Sequence, residues 1–436
     1  MASSFVIAAP HSGSGKTTVT LGLLRAFKNM GKRVQPFKVG PDYLDTTHHT
    51  NAAKQTSFNL DLFMSDEDHV KQLFYQKSQG ADVSITEGVM GLFDGAKKMQ
   101  GSTAAVAELL NQPVVLIMSG KAMAYSAAPL LYGLKNFYKN INVVGVIFNF
   151  VKTASHYQFL KEAAIDAGVT PLGYIPPNDD IKISSRHLGL SIDEKSNFEA
   201  IIENAAAHIS VHIDLSLLLE KTTSAEPKQG VVVESASTSG KSKQVIAVAR
   251  DEAFNFIYPA NIAHLEQHYD VCYFSPLKDK TVPEADALYI AGGYPEMYLE
   301  GLSQNHEMKR AIKSFADQGG RVFAECGGMM YLGQNILDKQ GASYPMCGIY
   351  DYDTTMENMK LHLGYRDVTI GEDKIKGHEF HYSHCIEHQD IPKVGQVKTA
   401  RGKEIDTPIY KYKNCYATYI HMYWAHLEHF FAFTAL

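Results

Sequence analysis

The sequence predicts an α/β protein of two domains, each built around a mostly parallel β-sheet. Short apolar runs alternate with helical patterns in the first half of the chain, and the alternation resumes at Val245–Ala249. Between the two halves, residues 221–244 are small, polar and poor in apolar side chains, which is typical of a linker. We therefore expect domains at residues 1–220 and 245–436, a division that suits a length of 436 residues.

The first domain is expected to begin with a buried strand at Phe5–Ala9 and a helix at Lys16–Met30 that stops at Gly31. Further buried strands of this domain are predicted at Val34–Val39, Asp82–Thr86, Val114–Met118 and Val143–Asn149. Strands of the second domain are predicted at Val245–Ala249, Ala287–Ile290 and Arg321–Ala324. Strands that alternate with helices predict a parallel sheet covered on both faces.

The composition excludes several classes of protein. The 41 Lys and Arg residues against 47 Asp and Glu give a net charge of −6, so no nucleic-acid partner is expected. No window of about 18 apolar residues is present, so no membrane span is expected. The five cysteines form no Cys-x-x-Cys pair and are odd in number, which argues against a disulfide framework. The sequence therefore predicts a cytoplasmic globular protein.

A glycine-rich loop follows the first predicted strand and opens the first predicted helix. In this context backbone amides and the helix N-terminus bind phosphate groups, so ATP is the expected ligand. The residues expected to bind it are Ser12, Gly13, Ser14, Gly15, Lys16, Thr17 and Thr18. Lys16 would contact the terminal phosphates, and the Thr17 hydroxyl would bind Mg²⁺. Pro10 stands where the common pattern has its first glycine, so the loop is a variant form.

Two segments rich in carboxylates follow predicted strands, Lys38–Asp45 and Glu87–Gly95. Because ligands bind at the carboxyl ends of the strands in an open α/β sheet, both segments should face the phosphate loop. Carboxylate oxygens are suitable ligands for Mg²⁺, and we expect Asp42 and Glu87 to bind it with Thr17. The alternative is that Gly-Pro-Asp and Phe-Asp-Gly are ordinary turn sequences.

The second domain contains a candidate nucleophile, Cys326. It follows an apolar strand and precedes two glycines, as a sharp strand-to-helix turn requires, although Ala324 replaces the usual glycine. The backbone amides of Gly292, Gly293 and Gly327 are the candidate oxyanion hole. His421, expected to end a late strand, is the candidate base.

Two further histidine patterns bear on this domain. Tyr423 stands two residues after His421, so the His-x-Glu arrangement of many cysteine triads is absent. His378 and His381 would lie on opposite faces of a predicted strand, so their spacing does not predict a zinc site.

The four cysteines other than Cys326 are expected to be buried apolar side chains.

Taken together, the motifs resemble those of the cobyrinic acid a,c-diamide synthase family, in the family's order from residue 5 to residue 425. The matching segments are Lys38–Asp45, Glu87–Gly95, Arg186–Leu190, Gly292–Glu296, Ala324–Gly328 and Gly377–Ser383. The phosphate loop resembles the variant loop of the dethiobiotin-synthetase-like branch. The resemblance implies an N-terminal P-loop synthetase domain and a C-terminal domain like the class I glutamine amidotransferases.

The resemblance implies an ATP- and glutamine-dependent ligase that acts on a corrinoid tetrapyrrole, with Mg²⁺ as cofactor. Cys326, assisted by His421, would release ammonia from glutamine. MgATP would phosphorylate the a and c side-chain carboxylates of the ring, and ammonia would displace phosphate from each acyl phosphate. The residues implied to position the ring carboxylates are Tyr43, Leu44, Asp45 and Asp94. The resemblance leaves open whether two copies of the chain form a homodimer.

The sequence departs from the family pattern at Thr46-Thr47, where Pro-Gly usually follows the aspartate, and at Ser119, where an aspartate is usual. The departure at Ser119 puts the polar contacts beside it in question. Hydrogenobyrinic acid and nickel sirohydrochlorin remain alternative rings for the same chemistry. An ATP-driven binding switch, like the partitioning ATPases with the same variant loop, is the alternative from another class.

Overall fold

A computed structural model of the chain describes residues 2–183, 192–223 and 243–433 and divides the chain into two units near residue 233. The segment Arg186–Leu190 and most of the predicted linker at residues 221–244 lie outside the described residues. In the described part of the chain, no helix combines the length and apolar character needed to cross a bilayer.

The first unit is built on a seven-stranded sheet in its described residues, and all neighbouring strands are parallel. Its strands are β1 (Ser3–Ala8), β2 (Val34–Val39), β3 (Phe58–Leu60), β4 (Val83–Glu87), β5 (Pro113–Ser119), β6 (Asn142–Asn149) and β7 (Thr170–Ile175). Their order across the sheet is β3-β2-β4-β1-β5-β6-β7. The connections after β1 and β4 leave in opposite directions, which opens a ligand crevice at their carboxyl ends.

Helices cover both faces of this sheet. They are α1 (Lys16–Asn29), α2 (Tyr43–Ala53), α3 (Glu67–Ser78), α4 (Thr103–Leu109), α5 (Ala127–Asn136), α6 (Ala154–Asp166), α7 (Ile192–His212) and α8 (Leu215–Thr222), with a 3₁₀ turn at Asp179–Ile181. Side chains alternate along β1: Phe5 and Ile7 pack with α1, α7 and α8, whereas Val6 and Ala8 pack with α4, α5 and α6. Both faces of a central strand are therefore buried, and its sequence is a continuous apolar run.

The second unit contains more strands than the sequence predicts. They are β8 (Val245–Ala249), β9 (Asp270–Phe274), β10 (Ala287–Ile290), β11 (Arg321–Glu325), β12 (Asn335–Leu337), β13 (Ser343–Pro345), β14 (Tyr352–Thr355), β15 (His362–Ile370), β16 (Asp373–His381), β17 (His384–Glu387), β18 (Gln396–Thr399), β19 (Glu404–Ile405), β20 (Ile409–Tyr412), β21 (Cys415–Thr418) and β22 (Ile420–Tyr423). Its helices are α9 (Pro259–His268), α10 (Leu299–Gln304), α11 (His306–Asp317) and α12 (Gly327–Leu332), with a 3₁₀ turn at Pro295–Met297.

These strands form three sheets in the described residues. The central sheet has the order β20-β21-β11-β10-β8-β9 and is parallel except for β20 at its edge. An antiparallel sheet of order β19-β18-β15-β16-β22 packs with α9 against one face of the central sheet. A third sheet, β13-β12-β14-β17, belongs to the core on the other face, with α11 and α12.

The structure confirms the α/β fold class, with a mostly parallel sheet at the centre of each unit. β2, β8 and β10 have the predicted bounds. The position of His421 is a correction: it does not end a strand but is the second residue of β22. The chain leaves the central sheet after Thr418 and enters the antiparallel sheet at Ile420, so the break at Tyr419 separates two short strands in different sheets.

Candidate active site

The phosphate loop joins the carboxyl end of β1 to the N-terminus of α1. Gly15, directly before α1, has a φ of 90°, which favours glycine. A β-carbon on Gly15 would also lie 2.1 Å from the side-chain nitrogen of Asn149, at the end of β6. That nitrogen donates a hydrogen bond to the Ser14 carbonyl at 3.0 Å, so the end of β6 fixes the shape of the loop.

Lys16, the first residue of α1, is only 9% exposed. Its ammonium donates a hydrogen bond to the Met90 carbonyl at 2.6 Å, in the predicted carboxylate segment after β4. Burial and the nearby charge of Lys38 lower the pKa of Lys16. An anion in the crevice, such as a nucleotide phosphate, would stabilise the ammonium form. Of the other loop residues, Ser14 is buried, Thr17 and Thr18 are half-buried, and Ser12 and Gly13 are exposed.

Glu87, the last residue of β4, is fully buried and is the centre of a charged cluster. One carboxylate oxygen accepts hydrogen bonds from the Thr17 hydroxyl at 2.9 Å and the Lys38 ammonium at 3.0 Å. The other oxygen lies 2.6 Å from Nε2 of His49 on α2. Burial alone would raise the pKa of Glu87, but Lys38 and His49 hold it well below its usual range. Glu87 is therefore a carboxylate.

Lys38 connects Glu87 to the segment that begins α2. Its ammonium forms ion pairs with Asp45 and Glu87 and donates to the Gly88 carbonyl at 3.2 Å. Burial alone would lower the pKa of Lys38, but Asp45 and Glu87 raise it above its usual value. For Asp45, burial has the greatest effect and raises the pKa of the carboxyl. The two predicted carboxylate segments thus meet at one buried lysine.

Asp42 caps the N-terminus of α2. Its Oδ1 accepts hydrogen bonds from the backbone amides of Leu44 at 2.8 Å and Asp45 at 3.0 Å. Oδ1 of Asp42 therefore acts as a helix cap, whereas the alternative predicted a turn. Asp42 also acts electrostatically on Lys38, which places it in the same cluster as Glu87. The oxygens of Thr17, Asp42 and Glu87 are of the type that Mg²⁺ prefers, so the residues present fit this ion.

The residues that the resemblance implies for the ring lie at the beginning of α2 and after β4. Tyr43 is buried, and Leu44 and Asp45 are half-buried. Asp94 is exposed, and its Oδ2 accepts a hydrogen bond from the Gly91 amide at 3.0 Å. A β-carbon on Gly91 would lie 2.7 Å from the Pro10 carbonyl, so this segment packs closely on the phosphate loop.

Cys326 lies at the sharp turn between β11 and α12. Its φ of 47° and ψ of −106° are unusual for a residue with a side chain, as expected for a nucleophile on a strained turn. The backbone amide of Cys326 donates to the Thr418 carbonyl at 2.7 Å. The sulfur lies 3.9 Å from the Phe380 carbonyl on β16.

Gly292 brings the candidate catalytic groups together. A β-carbon on Gly292 would lie 2.2 Å from Cε1 and 2.9 Å from Nδ1 of His421, and 3.4 Å from Cβ of Cys326. A β-carbon on Gly327 would lie 3.0 Å from the Gly293 nitrogen, so the three glycines of the predicted oxyanion hole are adjacent. The structure thus places Cys326, His421 and these three glycines next to one another.

Both candidate catalytic side chains are uncharged when no substrate is bound. Burial, and then the charge of Glu296, raises the pKa of the Cys326 thiol. Burial, with His378 and His381 nearby, lowers the pKa of His421 to about 3. A thiol and a neutral imidazole are the states from which a base-assisted attack on an amide begins.

Beside Cys326, β16 carries a second charged cluster. Glu379 accepts a hydrogen bond from Nε of Arg366 at 2.5 Å and lies 2.8 Å from Nε2 of His381. His362, Glu379 and His381 have metal-binding atoms within 4.8 Å of one another. Because Glu379 and His381 already satisfy each other, we assign the cluster to holding β16, whose Phe380 carbonyl faces the sulfur. The strand prediction is correct, and His378 and His381 lie on opposite faces of β16.

Several residues of these sites have no role predicted from the sequence: Lys38, His49, Asn149 and Glu296. Lys38 had a detectable signal, because a lysine in a fully buried strand needs a counter-charge. His49 had none, since its partner Glu87 is 38 residues away.

A nucleotide-binding unit and a glutamine amidotransferase unit in one chain define an ATP-using ligase that takes its nitrogen from glutamine. Comparison with known families agrees with this class. The CobQ/CobB/MinD/ParA nucleotide binding domain matches residues 5–190, and the CobB/CobQ-like glutamine amidotransferase domain matches residues 245–428.

Curated relatives extend over nearly the whole chain. Cobyrinate a,c-diamide synthase of Caldanaerobacter subterraneus subsp. tengcongensis is 39% identical over 433 residues, with 96% of this chain and 94% of that protein covered. The hydrogenobyrinate a,c-diamide synthase of Brucella anthropi is 37% identical, with 92% and 94% covered. The cobyrinate a,c-diamide synthase of Salmonella typhimurium is 36% identical, with 98% and 97% covered. The chain belongs to the cobyrinate a,c-diamide synthase family.

Proposed function

We propose that the chain amidates the a and c carboxylates of cobyrinic acid, with ATP as the energy source and with ammonia released from glutamine at Cys326. The convergence of Cys326 and His421 on Gly292, in a unit that matches a glutamine amidotransferase domain, carries this proposal. The names of the relatives supply the ring and the positions amidated on it. We propose that residues 1–220 carry the synthetase activity and residues 245–436 the glutaminase activity.

In the glutaminase reaction, the Cys326 sulfur would attack the side-chain amide carbon of glutamine. His421 would accept the thiol proton and return it to the departing ammonia, and the resulting thioester would be hydrolysed by water. The amides of Gly292, Gly293 and Gly327 would stabilise the oxyanion. Since the thiol has a raised pKa and the imidazole a lowered one, proton transfer would accompany the attack of the sulfur rather than precede it.

In the synthetase reaction, a ring carboxylate oxygen would attack the γ-phosphorus of ATP, and ADP would leave. A free carboxylate is a poor acyl donor, whereas the acyl phosphate has a good leaving group. Ammonia would then attack the acyl carbon, and phosphate would leave as the new amide nitrogen loses a proton. Lys16 would neutralise charge on the phosphates during the first step.

Magnesium would be held by the oxygens of Thr17, Asp42 and Glu87, and it would supply positive charge beside the phosphates. Tyr43, Leu44, Asp45 and Asp94 would line the place where the ring carboxylate is presented. The fixed position of Asp45 beside buried Lys38 supports this assignment, because it gives the beginning of α2 a defined shape.

An end-point assay by mass spectrometry tests the reaction. The purified chain receives glutamine and MgATP with cobyrinic acid, hydrogenobyrinic acid or nickel sirohydrochlorin in parallel. A diamide formed from cobyrinic acid supports the proposal, and a diamide formed only from hydrogenobyrinic acid would support the name of the Brucella relative. Glutamine hydrolysis without any amidated ring would overturn the proposed substrate, and absence of both activities would favour an ATP-driven binding switch.

A further inference from the structure

The two candidate catalytic residues of the glutaminase site lie on different sheets. Cys326 follows β11 in the central parallel sheet, whereas His421 lies on β22 at the edge of the antiparallel sheet. No strand pairing joins β11 to β22 in the described residues. The backbone link between them runs through β21, which pairs with β11 up to Thr418, three residues before His421. Side-chain contacts to β22 add to this link and hold His421 against Cys326.

The backbone of Met422, the residue after His421, is bonded by two fully buried side chains. The Met422 amide donates to Oε1 of Glu325 at 2.6 Å. The Met422 carbonyl accepts from Nδ2 of Asn261 at 2.9 Å. Glu325 directly precedes Cys326, so a single side chain connects the turn of the nucleophile to the strand of the base.

The geometry of β22 explains why these bonds form on this side. In an antiparallel pair, successive residues direct their backbone groups alternately toward the partner strand and away from it. A β-carbon on Gly377 of β16 would lie 2.4 Å from the His421 carbonyl, so His421 directs its backbone toward β16. Met422 therefore directs its amide and carbonyl outward, to the edge where Glu325 and Asn261 bind them.

Both side chains are themselves held in place. Oε2 of Glu325 accepts a hydrogen bond from the Tyr289 hydroxyl at 2.7 Å, on the neighbouring strand β10. Oδ1 of Asn261 on α9 accepts from the amides of Trp424 at 3.0 Å and Ala425 at 3.1 Å. Each of the two side chains has at least two buried partners, so the loss of one hydrogen bond leaves it held by another.

We propose that Glu325 and Asn261 are positioning residues that align the His421 imidazole with the Cys326 thiol across the junction of the two sheets. The inference rests on the proposed glutaminase role of these two residues. Neither Glu325 nor Asn261 touches glutamine in this scheme. Both act through the backbone of Met422.

The test is the steady-state kinetics of glutamine hydrolysis by the full chain. We expect Glu325→Ala to lower kcat by about 100-fold, the cost of displacing a catalytic group by about 1 Å, with KM for glutamine nearly unchanged. Glu325→Gln retains an oxygen that accepts from the Met422 amide, so it should restore most of kcat. Circular dichroism reports whether each variant is folded, and ammonia-dependent ring amidation should stay at the wild-type rate.

Tyr289→Phe is the matched control. It removes the buried hydrogen bond between Tyr289 and the Glu325 carboxyl group but leaves the bond between Glu325 and Met422 intact. We expect kcat within about threefold of wild type. Equal losses in Tyr289→Phe and Glu325→Ala, or wild-type kcat in Glu325→Ala, would overturn the proposal.

Asn261→Asp supplies an independent test if Glu325→Ala does not fold. It has the same shape and keeps the acceptor for Trp424, but it cannot donate to the Met422 carbonyl. A loss of kcat of at least about tenfold with unchanged KM supports the proposal, and an unchanged kcat contradicts it. A wild-type chain that does not hydrolyse glutamine would instead contradict the proposed function.

Discussion

The imidazole of His421 lies directly against Gly292, so closely that a β-carbon on Gly292 would fall 2.2 Å from Cε1. This contact is tighter than any side chain tolerates, so it leaves no space for a residue other than glycine. The same β-carbon would lie 3.4 Å from Cβ of Cys326. A side chain at position 292 would therefore occupy the space between the nucleophile and the base.

We therefore expect Gly292→Ala to lower glutamine-dependent amidation by at least about 100-fold, since the new methyl group displaces His421. Ammonia-dependent amidation should remain near wild type, because the synthetase activity is assigned to the other unit. The two rates are measured by mass spectrometry of the amidated ring. Gly133→Ala is the control, since a β-carbon there meets nothing within 4 Å. Equal loss of both rates in Gly292→Ala would contradict this explanation.

Asp42 has two assigned roles that one pair of variants separates. Asparagine caps a helix about as well as aspartate does, so Asp42→Asn should keep the stability of the first unit. It loses the charge, and we expect the Mg²⁺ concentration for half-maximal amidation to rise by about tenfold. Asp42→Ala should show the same rise and also lose about 1 kcal/mol of unfolding free energy.

The matched control for Asp42 is Asp66→Asn, because Asp66 caps α3 in the same way and lies outside the charged cluster. Magnesium titrations of the amidation rate and thermal unfolding provide the two measurements. A wild-type Mg²⁺ dependence in Asp42→Asn would remove Asp42 from the metal site and leave only its role as a helix cap.

Glu87 is expected to matter for both stability and activity. Glu87→Gln should lower amidation by about 100-fold or more, while glutamine hydrolysis at Cys326 continues. Glu87→Ala also leaves the buried charge of Lys38 with one fewer partner, and we expect a loss of about 3–5 kcal/mol in unfolding free energy. Amidation near the wild-type rate in Glu87→Gln would show that the Mg²⁺ assignment is wrong. Glu67→Gln, at an exposed glutamate of α3, is the control.

The stability of the second unit should depend on pH through Glu325. Burial raises the pKa of Glu325 to about 8 from an ordinary value of 4.5. Between these values the folded protein holds a proton that the unfolded chain has released, so stability falls as pH rises. One such proton contributes a slope of about 1.4 kcal/mol per pH unit.

Glu325→Gln has no such proton, so its stability relative to wild type should improve as pH rises. Urea unfolding of both proteins at about pH 5.5 and about pH 7.5 measures the change. A difference in stability that is the same at both pH values would contradict the raised pKa of Glu325. A larger advantage of the variant at the lower pH would contradict the sign.

The parts of the molecule that sequence analysis predicted are those in which function depends on neighbouring residues in the chain. The phosphate loop at Gly15 and Lys16 and the turn at Cys326 each combine a strand, small residues and a helix within about ten positions. Their local conformation is encoded where the chemistry takes place, so a short pattern is sufficient to find them.

The missed features depend on contacts between distant segments. His49 and Glu87 meet only because β2 and β4 are neighbours in the sheet. The placement of His421 was wrong because the apolar run through Tyr419 gives no sign that the chain changes sheets there. Tertiary pairing decides such features, and no periodicity within one segment records it.

The most direct test of two separate chemistries in one chain is Cys326→Ala, assayed with glutamine and with ammonium chloride in parallel. Cys272→Ala is the control, at a half-buried cysteine of β9. Mass spectrometry of the ring should show no diamide from glutamine and a wild-type amount from ammonia. Loss of both products in a folded Cys326→Ala protein, or diamide formed from glutamine, would contradict the assignment of Cys326 as the source of ammonia.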